Sequence, residues 1–351
     1  MTRPWMMSAF AALTLVVTTA RADTPPSAWD RAEDPAEGER YKLHLRAVED
    51  LHPPREAAPN MTLRAMLAQH ARGMLEQASA ATSPDLRLRF DLAEAYERLK
   101  DYGRVIEVLE PALAVAPRDA SSADAWWQIA LAYANVDRTR EERDAYDVFL
   151  SIAVGEVLTA RLNRAEAEMR LGNLEEAVAG YRDVLERAET RALAQEDWIT
   201  LVLARWGLAV ALDRNGDPAS AEHEAFLAAE QDPDERIIGD EESVFFVPRY
   251  ERDWYFGLGR AEHAKQEPEP RAAYRRWLMV EQTWADYVSK TTSNDRWLPL
   301  ARAHLAAAEK ARTAAELRLG KDKPPAPPPN RETTIRFPSR PRFVPPPRPH
   351  P

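Results

Sequence analysis

The sequence predicts an all-α solenoid of stacked helix hairpins, with helical caps at both ends and a disordered proline-rich C-terminal tail. Three observations carry this. A pattern of small and large apolar residues fit for two antiparallel helices runs from Leu86 to Pro117 and recurs three more times downstream. The composition is that of helix formers, with only 12 glycines in 351 residues and few alternating runs that would read as strands. From Lys321 to Pro351, 12 of 31 residues are proline. A hairpin as short as Leu86–Pro117 cannot bury its apolar face alone, so successive hairpins must stack.

In chain order, residues 23–85 form an N-terminal cap. A helix is expected from about Ala36 to Leu51, ended by His52-Pro53-Pro54, and a second from about Thr62 to Ser79. The first hairpin has Leu92, Ala93 and Tyr96 on one inner face and Val105, Ile106, Leu109, Ala112 and Leu113 on the other, joined at Lys100-Asp101-Tyr102. The repeats begin near Leu86, Ala123, Leu158 and Val202, and four of them fill residues 86–235. The longer interval before the fourth, Glu189 to Thr200, lengthens either a helix or a loop. Glu142 occupies a position where a small residue is usual, which predicts a shifted or loosened second helix in the second hairpin. Arg161 and Arg164 replace expected apolar residues, which makes the first helix of the third hairpin its weak half.

Residues 236–320 then hold a degenerate fifth hairpin, Tyr250 to Trp284, with Leu258-Gly259 as a close-packing pair, and a capping helix from Ser293-Asn294 to Leu319. The apolar run Val244-Phe245-Phe246-Val247-Pro248 reads as a segment wedged against the solenoid. The tail, 321–351, carries seven Lys or Arg against two acids, hence +5 on a chain of net charge −10. Such a segment cannot pack a core and favours extended polyproline II backbone.

The hairpin pattern resembles the tetratricopeptide repeat. Leu92-Ala93, Tyr96, Asp101-Tyr102, Leu109, Ala112 and Pro117 fit that family's pattern in the first repeat. Trp126, Ile129-Ala130, Tyr133 and Tyr146 fit it in the second. Ala165, Gly172-Asn173-Leu174, Ala177, Tyr181 and Leu185 fit in the third, and Leu208-Ala209, Leu212, Gly216-Asp217, Ala221, Ala225, Ala228 and Pro233 in the fourth. The resemblance implies a right-handed superhelix whose first helices line a concave groove, and a role as an interaction platform.

Family geometry then places Phe90, Trp127, Leu162 and Trp206 in one column of that groove and Arg98, Asn135, Arg170 and Arg214 in another. An aromatic column beside an arginine column suits an extended peptide with acidic side chains or a free carboxylate, because the guanidinium offers a bidentate fork. The competing reading packs the tryptophans between repeats and pairs the arginines with acids such as Glu94 and Glu166.

The remaining chemistry is excluded by what is missing. There is no cysteine, so no disulfide, thiol catalysis or cysteine-built metal site. The seven histidines do not cluster, and no HExxH, Walker or GxSxG pattern occurs, so neither a metal, a cofactor nor an enzymatic activity is expected. The net negative charge disfavours nucleic acid. Met1 to Ala22 has a basic start at Arg3, an apolar run from Ser8 to Ala20 and the small-x-small ending Ala20-Arg21-Ala22. This is the build of a secretory signal peptide cleaved after Ala22, its apolar run being too short for a span of about 20 residues. The expected protein is therefore a periplasmic adaptor that binds a protein or peptide, with the tail as a second contact. The alternative is an anchoring protein whose basic tail meets an anionic envelope surface.

Overall fold

The structure, a computed structural model, describes residues 35–53, 61–155, 157–189, 195–240, 244 and 246–319. The expected signal peptide and the proline-rich tail lie outside these residues, as does Phe245. Among the described residues the regular structure is helical throughout. The helices are α1 (Pro35–Leu51), α2 (Met61–Gln77), α3 (Leu86–Arg98), α4 (Tyr102–Leu113), α5 (Ala123–Asn135), α6 (Thr139–Ile152), α7 (Leu158–Leu171), α8 (Leu174–Glu189), α9 (Gln195–Arg214), α10 (Pro218–Gln231), α11 (Arg252–Gln266), α12 (Pro270–Lys290) and α13 (Leu298–Leu319). The chain divides into two compact units, Met1–Gly259 and Arg260–Pro351.

In the first unit, each helix from α1 to α10 packs on the next in sequence. This one-dimensional neighbour order is the signature of a solenoid. Contacts that skip one helix join α1 to α3, α3 to α5 and α7 to α9. All of these are first helices of their hairpins. At three of the four steps the first helices approach one another more closely than the second helices do, α5 and α7 being the exception, which puts the first helices on the inner side of the curve.

Four turns join first to second helices with one geometry. One or two residues past each first helix the backbone turns left-handed: Lys100 (φ 60°), Asp137 (φ 61°), Gly172 (φ 85°) and Gly216 (φ 81°). The next N–H closes back on the helix end in each case: Asp101 to Tyr96 (2.9 Å), Arg138 to Tyr133 (3.0 Å), Asn173 to Glu168 (2.9 Å) and Asp217 to Leu212 (3.0 Å). This double-bonded C-cap satisfies carbonyls that the helix leaves open. The four turns fall 37, 35 and 44 residues apart, so they keep the register read from the sequence. The extra length before the fourth goes into the helix. α9 has 20 residues and starts at Gln195, seven before the expected Val202.

Two of the sequence expectations are corrected. The helix carrying Glu142 is not loosened: α6 packs on both α5 and α7, and Glu142 is buried against Arg170 at 2.8 Å. Nor is α7 weak. Its Leu158, Ala160, Leu162, Ala165, Ala167 and Met169 are buried, while Arg161 pairs with Asp183 (3.2 Å) and Arg164 with Asp147 (2.5 Å). The stems of these arginines cover apolar surface while their heads reach carboxylates, which is how a charged residue occupies such a position.

Close approach of helices is set by glycine. A Cβ on Gly180 of α8 would stand 2.9 Å from the Ala165 Cβ, and one on Gly207 of α9 would stand 2.4–2.8 Å from the ring and hydroxyl of Tyr181. Tyr181 is wholly buried and cannot swing away. Gly207→Ala is therefore expected to destabilise by ~1–3 kcal/mol, the overpacking penalty exceeding the ~1 kcal/mol gained in helix propensity. Urea denaturation measures it; a stabilised variant refutes the close-packing account.

The cap α1–α2 packs on α3 as expected. After α10, the Asp232 carboxylate accepts the backbone N–H groups of Arg236, Ile237 and Ile238 at 2.8–3.0 Å. Phe246 then meets Tyr255 edge-on at 5.1 Å. Gly259 lies against the Trp206 ring, as a close-packing residue should.

In the second unit, α12 and α13 pair along their length. The Glu269 carboxylate caps α12 through the N–H groups of Arg271 and Ala272, with Pro270 at the first helical position. Trp284 stacks on His304 at 4.4 Å. Asp295, rather than Ser293-Asn294, closes the turn into α13, accepting from the Trp297 N–H at 2.7 Å.

Candidate functional site

The inner wall is built on α3, α5, α7 and α9. The aromatic column does not stand open on it. Phe90, Leu162 and Trp206 are core residues, Trp206 being only 1% exposed. Trp127 is half-buried and packs within its own hairpin, edge-on to Tyr146 at 5.8 Å and tilted on Phe149 at 5.4 Å. These rings hold hairpins together. In a thin solenoid the large apolar residues have no other centre to fill, so they serve the inter-helix seams first.

The arginine column is likewise committed. Arg98 donates to Glu94 at 2.5 Å. Arg170 reaches Glu142 (2.8 Å) and Asp137 (2.7 Å). Arg214, its side chain 2% exposed, donates to Glu251 at 2.5 Å and lies over the Trp254 ring at 4.4 Å. Asn135 bonds the Leu131 carbonyl at 2.8 Å. The forks expected to clamp a ligand carboxylate are filled by the chain's own acids.

What the structure brings together instead is a polar spine along the first helices. His44 of the cap meets the buried Asp91 at 2.6 Å, and His52 meets the buried Glu94 at 3.3 Å. Gln128 donates to Glu97 at 3.2 Å, and Asn163 to the Tyr146 hydroxyl at 3.0 Å. The Glu166 carboxylate accepts the Tyr181 hydroxyl at 2.6 Å and the Tyr255 hydroxyl at 3.0 Å. The Trp254 indole N–H donates to Asp213 at 2.9 Å. The helical spacing contains a faint signal for this spine. Asp91 and Glu94 sit in mid-helix, each with an arginine four residues away, Arg87 and Arg98.

Burial and charge move the carboxylates of the wall in different directions. Burial opposes ionisation of Glu94, but His52 and Arg98 outweigh it and hold its carboxyl below the usual range. Burial dominates at Glu142, pushing it up to about 8 although Arg170 is its partner. Burial also raises Glu166, against the hydrogen bonds of Tyr181 and Tyr255 and the fields of Arg170 and Arg214. It raises Asp124 too, where Arg87 only partly offsets it. Asp124 is exposed, whereas Glu166 is half-buried.

Among the described residues, no group of three His, Cys, Asp or Glu side chains is placed to hold a metal ion. No helix of the described residues is long and apolar enough to cross a membrane. These features define an all-α protein of stacked helix hairpins with a polar inner wall.

No protein-family model matches the chain, and no curated protein matches it. Among solved structures, the chain is similar to the crystal structure of the P58(IPK) TPR domain, at 13% identity and a TM-score of 0.36, over 82% of this chain and 69% of that one. That overlay is too loose to transfer any residue role.

Proposed function

We propose that this chain is an exported interaction scaffold of the tetratricopeptide-like kind, acting in a bacterial envelope assembly. Its inner wall receives a protein or peptide partner, and its proline-rich tail makes a second contact. The observation that carries this reading is the wall itself: the first helices α1, α3 and α5 approach one another, as do α7 and α9, and they carry polar side chains along that side. Repeated helices that share a curved face offer an extended surface to an extended partner. Export rests on the build of Met1 to Ala22, and the tail's role on its composition. Two weak contacts on one chain gain avidity when both engage together.

The test is photo-crosslinking from the wall. Leu131 is half-buried on α5, between Gln128 and Asn135. A benzophenone side chain placed there, and for comparison at the exposed Glu175 of α8, is used in envelope extract with the full chain and with a chain ending at Gly320. The proposal expects one protein crosslinked from position 131 and not from 175. Loss of that product on truncation assigns the tail a share of binding. No product from position 131 overturns the scaffold reading.

A further inference from the structure

We infer that the inner wall takes a cationic segment of its partner, a lysine- or arginine-bearing peptide, at Asp124 and Glu166. This deepens the scaffold reading and rests on it. The wall's cations are already spent: Arg87 on Asp91, Arg98 on Glu94, Arg170 on Glu142 and Asp137, and Arg214 on Glu251. Among the described side chains of the wall, two carboxylates stand apart from these pairs. Among the described residues neither Asp124 nor Glu166 has a cation within ion-pair distance. Asp124 is exposed and Glu166 partly so, unlike Asp91, Glu94 and Glu142, which are buried.

Each of the two has a feature that suits an incoming donor. Glu166 is held in place by the hydroxyls of Tyr181 and Tyr255. An ionised carboxylate accepts about four hydrogen bonds, so two positions remain for an ammonium or guanidinium. Asp124 lies one helical turn from Gln128, on the same face of α5. Gln128 is 2% exposed; its amide nitrogen is committed to Glu97, and its amide oxygen accepts no hydrogen bond. A buried acceptor with no donor is destabilising until one arrives. A partner carboxylate would meet two like charges and no open fork, which disfavours the acidic ligand that the arginine column suggested.

The experiment measures fluorescence anisotropy of a labelled lysine decapeptide and a labelled glutamate decapeptide with the full chain. Because the chain is acidic overall, a charge-matched control is required. Asp124→Asn with Glu166→Gln removes two charges from the wall, and Glu175→Gln with Glu176→Gln removes two from the exposed first turn of α8. The inference expects binding of the lysine peptide, weakened roughly 10-fold in the wall variant, little changed in the control, and fading with salt. Equal weakening by both variants means diffuse attraction and overturns the site. So does preferential binding of the glutamate peptide. If the wall variant melts early, Asp124→Asn alone serves, because no hydrogen bond or ion pair of the described residues depends on that exposed carboxylate; it is expected to weaken binding roughly 3-fold. A partner that still crosslinks from position 131 in the wall variant leaves the scaffold reading standing and sinks the cationic class. No crosslink in the unaltered chain sinks both.

Discussion

Trp206→Ala is expected to lower the stability of the chain by roughly 3–5 kcal/mol, the range for deleting a large buried aromatic side chain. Trp206 is 1% exposed on α9, and its six-membered ring fills the space that Gly259 leaves on α11. A cavity there cannot collapse easily. The neighbours are helices of the same stack, and each is fixed by the next hairpin. Urea denaturation followed by circular dichroism gives the number. If Trp206 were instead a ligand-contacting residue of an open groove, its loss would change stability by less than about 1 kcal/mol and would act on binding alone. That outcome would return the aromatic column to the surface and undo the assignment made above.

Glu142 and Arg170 should give the chain a distinctive pH dependence. Burial holds the Glu142 carboxyl at about 8 in the folded protein, with Glu166 and Asp137 adding to the effect of burial and Arg170 opposing it. The unfolded value is near 4.5. Between these two values the folded state binds more protons than the unfolded state, so stability falls as pH rises through the window from about 4.5 to 8. Glu142→Gln removes the ionisation and should flatten that slope. Arg170→Met removes the one cation that solvates the Glu142 charge. Leaving a buried charge without its partner is expected to be destabilising by about 3–5 kcal/mol above pH 8, and by much less near pH 5, where Glu142 is protonated. Urea midpoints across pH 5–9 for the three proteins decide this. A wild-type midpoint that rises over that window contradicts the assigned direction, and an Arg170→Met penalty independent of pH shows that Glu142 is not the group involved.

Helical spacing reveals which residues are large and apolar but not what stands opposite them. Trp206 and Phe90 were legible as large apolar residues at helical spacing, but spacing alone cannot say which side of a first helix meets the neighbouring hairpin. Arg170 and Arg214 were legible as a column, but their partners are 28 and 37 residues away in sequence, at Glu142 and Glu251. Glu142 looked like a misfit for the same reason, because its compensating cation sits on the next helix.

The amino-acid sequence by itself determined the helices, their pairing into hairpins, the turns and the register of the stack. Local propensity, the period of the apolar residues and the left-handed turn positions are properties of neighbouring residues, and these features depend on little else. Tertiary structure decided which side chains are spent and which are open. Whether an arginine is a ligand fork or half of an internal ion pair, and whether a tryptophan is a wall or a seam, depends on what the next hairpin places within a few ångströms. A charge is available to a partner only if the fold has left it without a counter-charge, and among the described residues Asp124 and Glu166 of the inner wall have no cation within ion-pair distance.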